Sequence, residues 1–456
     1  MSATSAFLNI FRLPDLRKRI FITLALLFVY RIGFHIPLPG TNVLVLKGLE
    51  DQIAGNDVLG LMNVLSGGSL QLPVLFSLGI LPYISASIIF SLLVKVIPRL
   101  EQLSKEGPAG QRKINQLTRL ATVPLCIIQG AILCITVFKG QKGEVFGQNV
   151  QDFMVPLLNG DGFFGNFGAG VMMVLGLTAG TLFIMWLGEQ ITEYGIGNGA
   201  SLIIMAGIIA ALPGAAQRIV GDAVEDRGRI LVIAALILCY IGVVLAVVMI
   251  TKGQRRIPIQ QAKLMKGRRM YGGAKHYLPL RVNMANVMPV IFASSLLMFP
   301  NLFWRMVSSN GEPLLSPGGF WYITLEIGLI FFFSFFWTSM MFQPAEMANN
   351  LKEGGSFVPG IRPGRRTAEY LERIMVRITL VGAAFLAVIA IIPTIVTGWL
   401  NVDFMTASFL GGTGILIVVG VALDLVDKLN AQLLQRNYDG FMSASSAKRG
   451  ARSGGR

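Results

Sequence analysis

The sequence predicts an all-α polytopic membrane protein whose ten transmembrane helices form two inverted five-helix halves. The first observation is composition: 53% of the 456 residues are apolar and only 14% are charged, whereas soluble domains carry about 25% charged residues. The second is that apolar runs of roughly 20 residues, long enough to cross a bilayer as a helix, recur along the whole chain. The third is a pair of related segments, one in each half.

Ten apolar runs are candidate spans, and they alternate with polar connections. They cover approximately 18–36, 73–97, 116–138, 167–188, 196–213, 229–251, 283–304, 320–342, 374–398 and 408–427. Lysine and arginine concentrate in the N-terminal segment, in the loops after the second, sixth and eighth spans, and in the C-terminal tail. By the positive-inside rule both termini are cytoplasmic, and topology explains much of the net charge of +15. Because each half has an odd number of spans, the second half is inverted relative to the first.

The related segments are Leu78–Phe90 and Val287–Phe299, the second span of each half. Both begin near a proline, Pro82 or Pro289, and both carry small hydroxyl residues in an apolar run. Aligned on these prolines they agree at three further positions: Ile84 with Ile291, Ala86 with Ala293, and Ser87 with Ser294. Related interrupted spans in two halves often mark a pathway between them. We therefore expect a central pore.

The expected organisation follows the spans. It comprises a cytoplasmic N-terminal segment (1–17), the first half (18–213), an external hinge loop (214–228), the second half (229–427) and a basic cytoplasmic tail (428–456).

Between the first two spans, the segment Asn56–Ser69 predicts a short apolar helix. Asn56 or Asp57 can cap its start, and Gly67 and Gly68 can end it. About two helical turns cannot cross a bilayer roughly 30 Å thick. The helix must lie at the interface, re-enter the membrane or sit inside the protein.

Two inner loops, 252–282 and 343–373, are longer than a connection requires. Their mixture of glycine, proline and cations suits docking to a large, negatively charged cytoplasmic partner. Topology signals and contacts with lipid head groups are the alternative explanation for the charge.

The sequence encodes none of the usual catalytic constellations. It has no phosphate-binding loop of the form G-x-x-x-x-G-K-[ST] and no His, Cys and carboxylate cluster with metal-ligand spacing, so we expect no enzymatic activity, cofactor or metal. Four ionisable residues near the spans fall at predicted span ends: Glu189, Glu326, Arg377 and Asp424. Ion-coupled carriers usually place such groups at mid-membrane, which disfavours a coupled pump.

Five motifs resemble the bacterial SecY family, whose members are channel subunits of the general protein-secretion translocon. They are Ile80–Ile88, Trp186–Gly199, Gly253–Ile257, Leu278–Ala285 and Phe357–Gly364. The resemblance keeps the motifs in order and extends from about Asp15 to Val426.

The resemblance implies an hourglass channel with an apolar ring at its waist, a plug helix and a lateral gate between the second and seventh spans. The implied ring residues are Ile80, Ile84, Ala200, Ile204, Ile291 and Ile417. The implied plug lies within 57–70 and includes Asp57, Val58, Leu59, Leu61, Met62, Val64, Leu65, Ser66, Gly67 and Gly68. The implied gate residues are Ser85, Ser87, Ser91, Ser294, Ser295 and Phe299. Ala200 stands where the family usually has a larger aliphatic residue.

The resemblance also implies partners. These are small membrane subunits of the SecE and SecG kinds, the SecA motor ATPase, the ribosome including its RNA, signal sequences, unfolded polypeptides and membrane lipids. The implied docking residues are Arg255, Arg256, Arg268, Arg269 and Arg362, because arginine suits phosphate and carboxylate recognition.

The function that follows is a passive protein-conducting channel in the bacterial inner membrane, with both termini cytoplasmic. It exports unfolded chains and releases apolar segments sideways into lipid. A secondary transporter of a small solute is the alternative, suggested by the inverted halves, and a membrane scaffold or enzyme is a third possibility.

Overall fold

The computed structural model describes residues 14–39, 74–138, 163–225, 229–261, 264–266, 269–271, 275–307, 315, 319–400, 412 and 414–433. These residues divide into two compact units. The first unit holds the described residues up to Ala210 together with 421–433, and the second holds those from Ala211 to Gly420.

Helices account for most of both units. In chain order the described helices are α1 (Pro14–Ile32), α2 (Leu81–Val96), α3 (Pro98–Lys105), α4 (Pro108–Phe138), α5 (Phe163–Tyr194), α6 (Gly199–Glu225), α7 (Arg229–Lys252), α8 (Met288–Val307), α9 (Phe320–Met341), α10 (Pro344–Glu353), α11 (Arg365–Leu400) and α12 (414–433). The described strands are β1 (Gln254–Gln261), β2 (Leu264–Lys266), β3 (Arg269–Tyr271), β4 (Lys275–Arg281) and β5 (Ser356–Phe357).

A helix occupies each of the ten positions at which the sequence predicts a span. Within the described residues, five helical stretches are long and apolar enough to cross a membrane, and the bent pair α2–α3 makes a sixth. The prediction of a helical, multi-pass membrane protein is confirmed. The count of ten spans stays a prediction.

The chain turns sharply between α2 and α3. The two helices meet at an angle of 98°, and Ile97 between them has an extended backbone. Pro98 explains both facts, because a proline disfavours helical geometry in the residue before it and suits the first position of a new helix. The apolar span therefore ends at Val96 and a polar helix begins.

Aromatic side chains fix the segment ahead of α2 in the first unit. The ring of Phe76 stacks on Tyr30 with centroids 6.2 Å apart and lies edge-on to Phe34 at 5.9 Å. Phe76 and Tyr30 are both buried, and a side chain at Gly33 would overlap the Phe76 ring. Such aromatic pairs add about 0.5–1.5 kcal/mol each beyond burial, so the non-helical segment is firmly held.

The second unit contains a sheet that the all-α prediction misses. Strand β1 pairs antiparallel with β4 and with β5, giving the order β4-β1-β5, while β2 and β3 form a separate hairpin. Along β1, the buried residues Ile257 and Ile259 flank the exposed Pro258, and this period of two is typical of a strand. The loop expected over 252–282 is therefore an ordered structure where it is described.

Two expected boundaries differ from the structure. Helix α6 continues to Glu225, so most of the expected hinge loop 214–228 is helical. Its residues contain several good helix formers, and Pro213 is accommodated inside the helix. Helix α12 continues to residue 433, past the expected start of the tail at 428.

Candidate functional site

Helices α2 and α8, which contain most of the two related segments, start in the same way. Helices α2 and α8 each begin one residue before their proline, Pro82 or Pro289. Three residues before the proline the backbone is left-handed in both units, at Gly79 with φ 56° and at Asn286 with φ 55°. Glycine and asparagine tolerate this conformation better than other residues. The likeness seen in the sequence therefore extends to the backbone.

The predicted ring isoleucines of these helices lie in the first helical turn. The amide of Ile84 donates to the carbonyl of Ile80 at 3.1 Å, and the amide of Ile291 donates to that of Val287 at 3.3 Å. Ile80, Ile84 and Ile291 are all buried. Ile84 and Ile291 each follow the left-handed residue of their segment by five positions, while Ile80 directly follows Gly79.

The remaining predicted ring residues lie at the starts of α6 and α12. Ala200 is the second residue of α6 and is partly exposed, whereas Ile204, one turn later, is buried. Ile417 is buried near the start of α12. Asn198 caps α6, because its side-chain oxygen accepts a hydrogen bond from the amide of Ser201 at 3.3 Å.

The turn between α5 and α6 depends on two threonines that the sequence analysis did not single out. The Thr192 hydroxyl donates to the carbonyl of Gly188 and accepts from the amide of Gly199, both at 2.8 Å. The Thr23 hydroxyl of α1 accepts from the amide of Ile196 at 3.2 Å. Both threonines satisfy backbone groups at helix ends, which would otherwise lack partners.

Most hydroxyls at the predicted gate are satisfied within their own helix. Three donate to the carbonyl four residues earlier: Ser85 to Leu81 at 3.0 Å, Ser91 to Ser87 at 2.7 Å and Ser294 to Val290 at 2.9 Å. The buried Ser295 hydroxyl has no hydrogen-bond partner among the described residues. Ser87 is partly buried, and the side chain of Phe299 lies outside the described residues. The gate faces are therefore less polar than their composition indicates.

The predicted docking arginines Arg255 and Arg256 extend from β1, and both are exposed. Because side chains alternate along a strand, Arg255 shares the face of the buried Ile257, while Arg256 lies on the opposite face. Strand β4 lies alongside, with Leu280 opposite Arg255 and Pro279 opposite Arg256. The two arginines therefore do not form one patch on a single face.

The loop before α11 holds Arg362 in place. The Thr367 hydroxyl, which is buried, donates to the carbonyl of Arg362 at 3.0 Å. Val358 is buried at the other end of the loop, and Gly364 has φ 104°, a backbone conformation that favours glycine. The Arg362 side chain is exposed. The loop presents this cation from an ordered backbone.

The plug segment 57–70 and Arg268 lie outside the described residues, and so does the side chain of Arg269 in β3.

Ionisable residues lie inside three of the long helices, α4, α5 and α9. Glu326 is buried in the second turn of α9. Arg119, well inside α4, forms an ion pair with Glu189 of α5. The ion pair joins two neighbouring helices of the first unit, which is a packing role for both residues.

Comparison with known proteins identifies the family. The SecY family model matches residues 74–426. A protein translocase subunit SecY from Corynebacterium glutamicum is 43% identical over 458 residues, covering 96% of this chain and 100% of the relative. The chain belongs to the SecY family. The prediction made from the five motifs is confirmed.

The SecY fold also matches solved structures. A structure described as a protein conducting channel has a TM-score of 0.63 and 19% identity, covering 91% of this chain and 92% of its own. Sec61 in a canine ribosome-channel complex from the endoplasmic reticulum has a TM-score of 0.59 and 18% identity, with the same coverage. These likenesses agree with the SecY assignment in fold. No observation supports the small-solute transporter that the sequence left open.

Proposed function

We propose that this chain is the protein-conducting channel subunit of a translocon, which passes unfolded polypeptides across a membrane and releases transmembrane segments sideways into lipid. Membership of the SecY family carries this proposal. The matching starts of α2 and α8 support it, since each unit contributes one helix of the expected gate.

The pore ring would consist of Ile80, Ile84, Ala200, Ile204, Ile291 and Ile417. Apolar side chains in a narrow pore hold back ions by dewetting, and flexible isoleucines can contact a passing chain without reading its sequence. The five isoleucines are buried, which suits a packed waist. Ala200 leaves a smaller side chain at its position, so the plug within 57–70 would carry more of the seal.

The lateral gate would lie along α2 and α8. Three of their serines, Ser85, Ser91 and Ser294, donate within their own helix, so these hydroxyls need no interhelical hydrogen bonds that an opening gate would have to break. Helix association in lipid depends on packing and such bonds. An apolar signal sequence could then replace the packing contacts that α2 and α8 lose when they part, and so shift the population toward the open state.

Arg255, Arg256, Arg268, Arg269 and Arg362 would dock the cytoplasmic partners, the SecA motor and the ribosome. The fold is similar to that of Sec61 in a canine ribosome-channel complex, which supports the ribosome as a partner of this chain. The exposed arginines on an ordered sheet and loop are another, because a pre-ordered guanidinium loses less entropy on binding phosphate. We place the protein in the bacterial inner membrane with cytoplasmic termini, beside small subunits of the SecE and SecG kinds.

The gate can be tested with a crosslink. Ser85→Cys and Phe299→Cys together should form a disulfide that blocks export of a secreted reporter, and a reductant should restore it. Each single cysteine is the matched control. Full crosslinking with undiminished export would contradict a gate between α2 and α8.

A further inference from the structure

The segments ahead of α2 and α8 share more than their left-handed residue. Eight residues before each proline, the chain forms an antiparallel backbone pair with the residues that follow the preceding long helix. In the first unit this pair is Pro37 with Val74, and in the second it is Gln254 with Arg281. One pair is an isolated bridge and the other closes a ladder, yet both lie at the same distance from the gate helix.

The next residue along each segment repeats a hydrogen bond. The amide of Leu75 donates to the carbonyl of Ile36 at 3.0 Å, and the amide of Val282 donates to that of Gly253 at 2.9 Å. In each unit the acceptor directly precedes the residue of the antiparallel pair. The backbone register is therefore the same in both units.

The carbonyl of this same residue meets a glycine in both units. A methyl group on Gly382 of α11 would lie 2.8 Å from the carbonyl oxygen of Val282. A methyl group on Gly180 of α5 would overlap the carbonyl oxygen of Leu75. Contacts to a β-carbon are essentially never this short. At both sites the obstacle is backbone, which no change of rotamer can move aside.

We propose that Gly180 and Gly382 are positioning residues for the pore ring, each fixing the point from which its gate helix starts. The antiparallel pair, the amide bond and the glycine contact hold two adjacent residues of each segment, Val74 and Leu75 in the first unit and Arg281 and Val282 in the second. The left-handed residue, Gly79 or Asn286, lies four positions after the second of these, and the ring isoleucine, Ile84 or Ile291, lies five positions after that. A displacement at the glycine therefore passes to Ile84 or Ile291 with little chain between to absorb it. This inference rests on the proposed channel function.

Alanine at each glycine tests the inference, and each helix offers its own control. Gly180→Ala is compared with Gly168→Ala on α5, and Gly382→Ala with Gly398→Ala on α11, since a methyl group on either control glycine meets nothing within 4 Å. The purified channel is reconstituted with its partners in vesicles. Resting ion conductance is measured, together with export of a reporter carrying either an intact or a defective signal sequence.

A displaced ring should leak ions at rest and discriminate less between the two signal sequences. We expect the ratio of defective-signal to intact-signal export to rise roughly fivefold to tenfold in Gly382→Ala, because an extra methyl group strains a packed site and shifts a two-state equilibrium by such factors. Gly180→Ala should show the larger effect, and both control variants should match the wild type.

Three results would overturn the inference while leaving the channel function intact. The first is a Gly382→Ala channel with wild-type conductance and an unchanged export ratio. The second is a parallel loss of export for both reporters. The third is failure of Gly382→Ala to accumulate in the membrane, since a positioning role does not require this glycine for folding. Absence of signal-dependent export by the wild type would instead contradict the proposed function.

Discussion

Ile257 packs the sheet β4-β1-β5 onto the rest of the second unit, and truncating it tests whether the proposed docking of partners depends on that sheet. Ile257 is 2% exposed and lies in a buried cluster with Leu280, Val358 and Leu371. Replacing it with valine removes one methyl group and costs about 0.5–1.5 kcal/mol, whereas alanine costs about 2–5 kcal/mol. The two variants therefore form a graded series that leaves every arginine in place.

The free energy lost on truncating Ile257 sets how much the population of molecules with a detached sheet increases. At about 1.4 kcal/mol per factor of ten, valine should raise that population roughly 2- to 10-fold and alanine roughly 30-fold or more. Arg255 and Arg256 lie beside Ile257 on β1, so they lose their fixed positions whenever the strand detaches. Partner affinity should fall in the same order as the stability of the sheet.

Two measurements check this expectation. Limited proteolysis of the purified protein reports cleavage within 254–281, and titration with purified motor or ribosome at fixed salt reports affinity. Ile237→Ala on α7 is the control, because it makes the same truncation at a side chain that is 55% exposed. If Ile257→Ala were cleaved faster but bound its partner as tightly as the wild type, docking would depend on charge alone and the reasoning would be refuted.

Two further predictions concern the ring and the docking loop. Ile84→Ser with Ile291→Ser should raise the ion conductance of the purified channel in planar bilayers, while Ile89→Ser, at an exposed position of the same helix, should not; a closed baseline in the double variant would exclude the ring assignment. Arg362→Glu should weaken motor- or ribosome-dependent translocation severalfold, because it replaces a cation facing a negative partner, with normal insertion of the channel itself. Arg365→Glu, beside it, is the control for charge alone, and equal loss in both variants would argue against a specific role for Arg362.

The sequence predicts the helical class well because apolar runs dominate its composition. The prolines Pro82 and Pro289 mark the starts of α2 and α8, because proline suits the first turn of a helix, whereas the predicted spans begin earlier, at 73 and 283. The sheet is missed because its buried residues, Ile257 and Ile259, make a short alternation beside much longer apolar runs. The helical extension to Glu225 is missed because glycine and proline nearby suggested a loop.

The glycine contacts are harder to predict because a sequence does not say which backbone a glycine will meet. The chain has 52 glycines, and several in the described helices meet nothing within 4 Å. One faint signal exists: Gly180 and Gly382 each precede a phenylalanine by three residues, Phe183 and Phe385, in the fourth span of each half. The alignment of the two halves on Pro82 and Pro289 could have guided a search for glycines at corresponding positions, and such a search could have found this pair.

The segments that lead into α2 and α8 show why the internal repeat is weak in the sequence but evident in the backbone. The paired residues differ in side chain, with leucine against valine at Leu75 and Val282, and glycine against asparagine at Gly79 and Asn286. What they share is made by amides and carbonyls, which nearly every residue possesses. Side chains at such positions can vary while the hydrogen bonds and the left-handed turn remain. The exception is a position where a β-carbon would meet a carbonyl, since there only glycine fits. The same residue type is thus required at 180 and 382, whereas most of the surrounding sequence is free to differ between the halves.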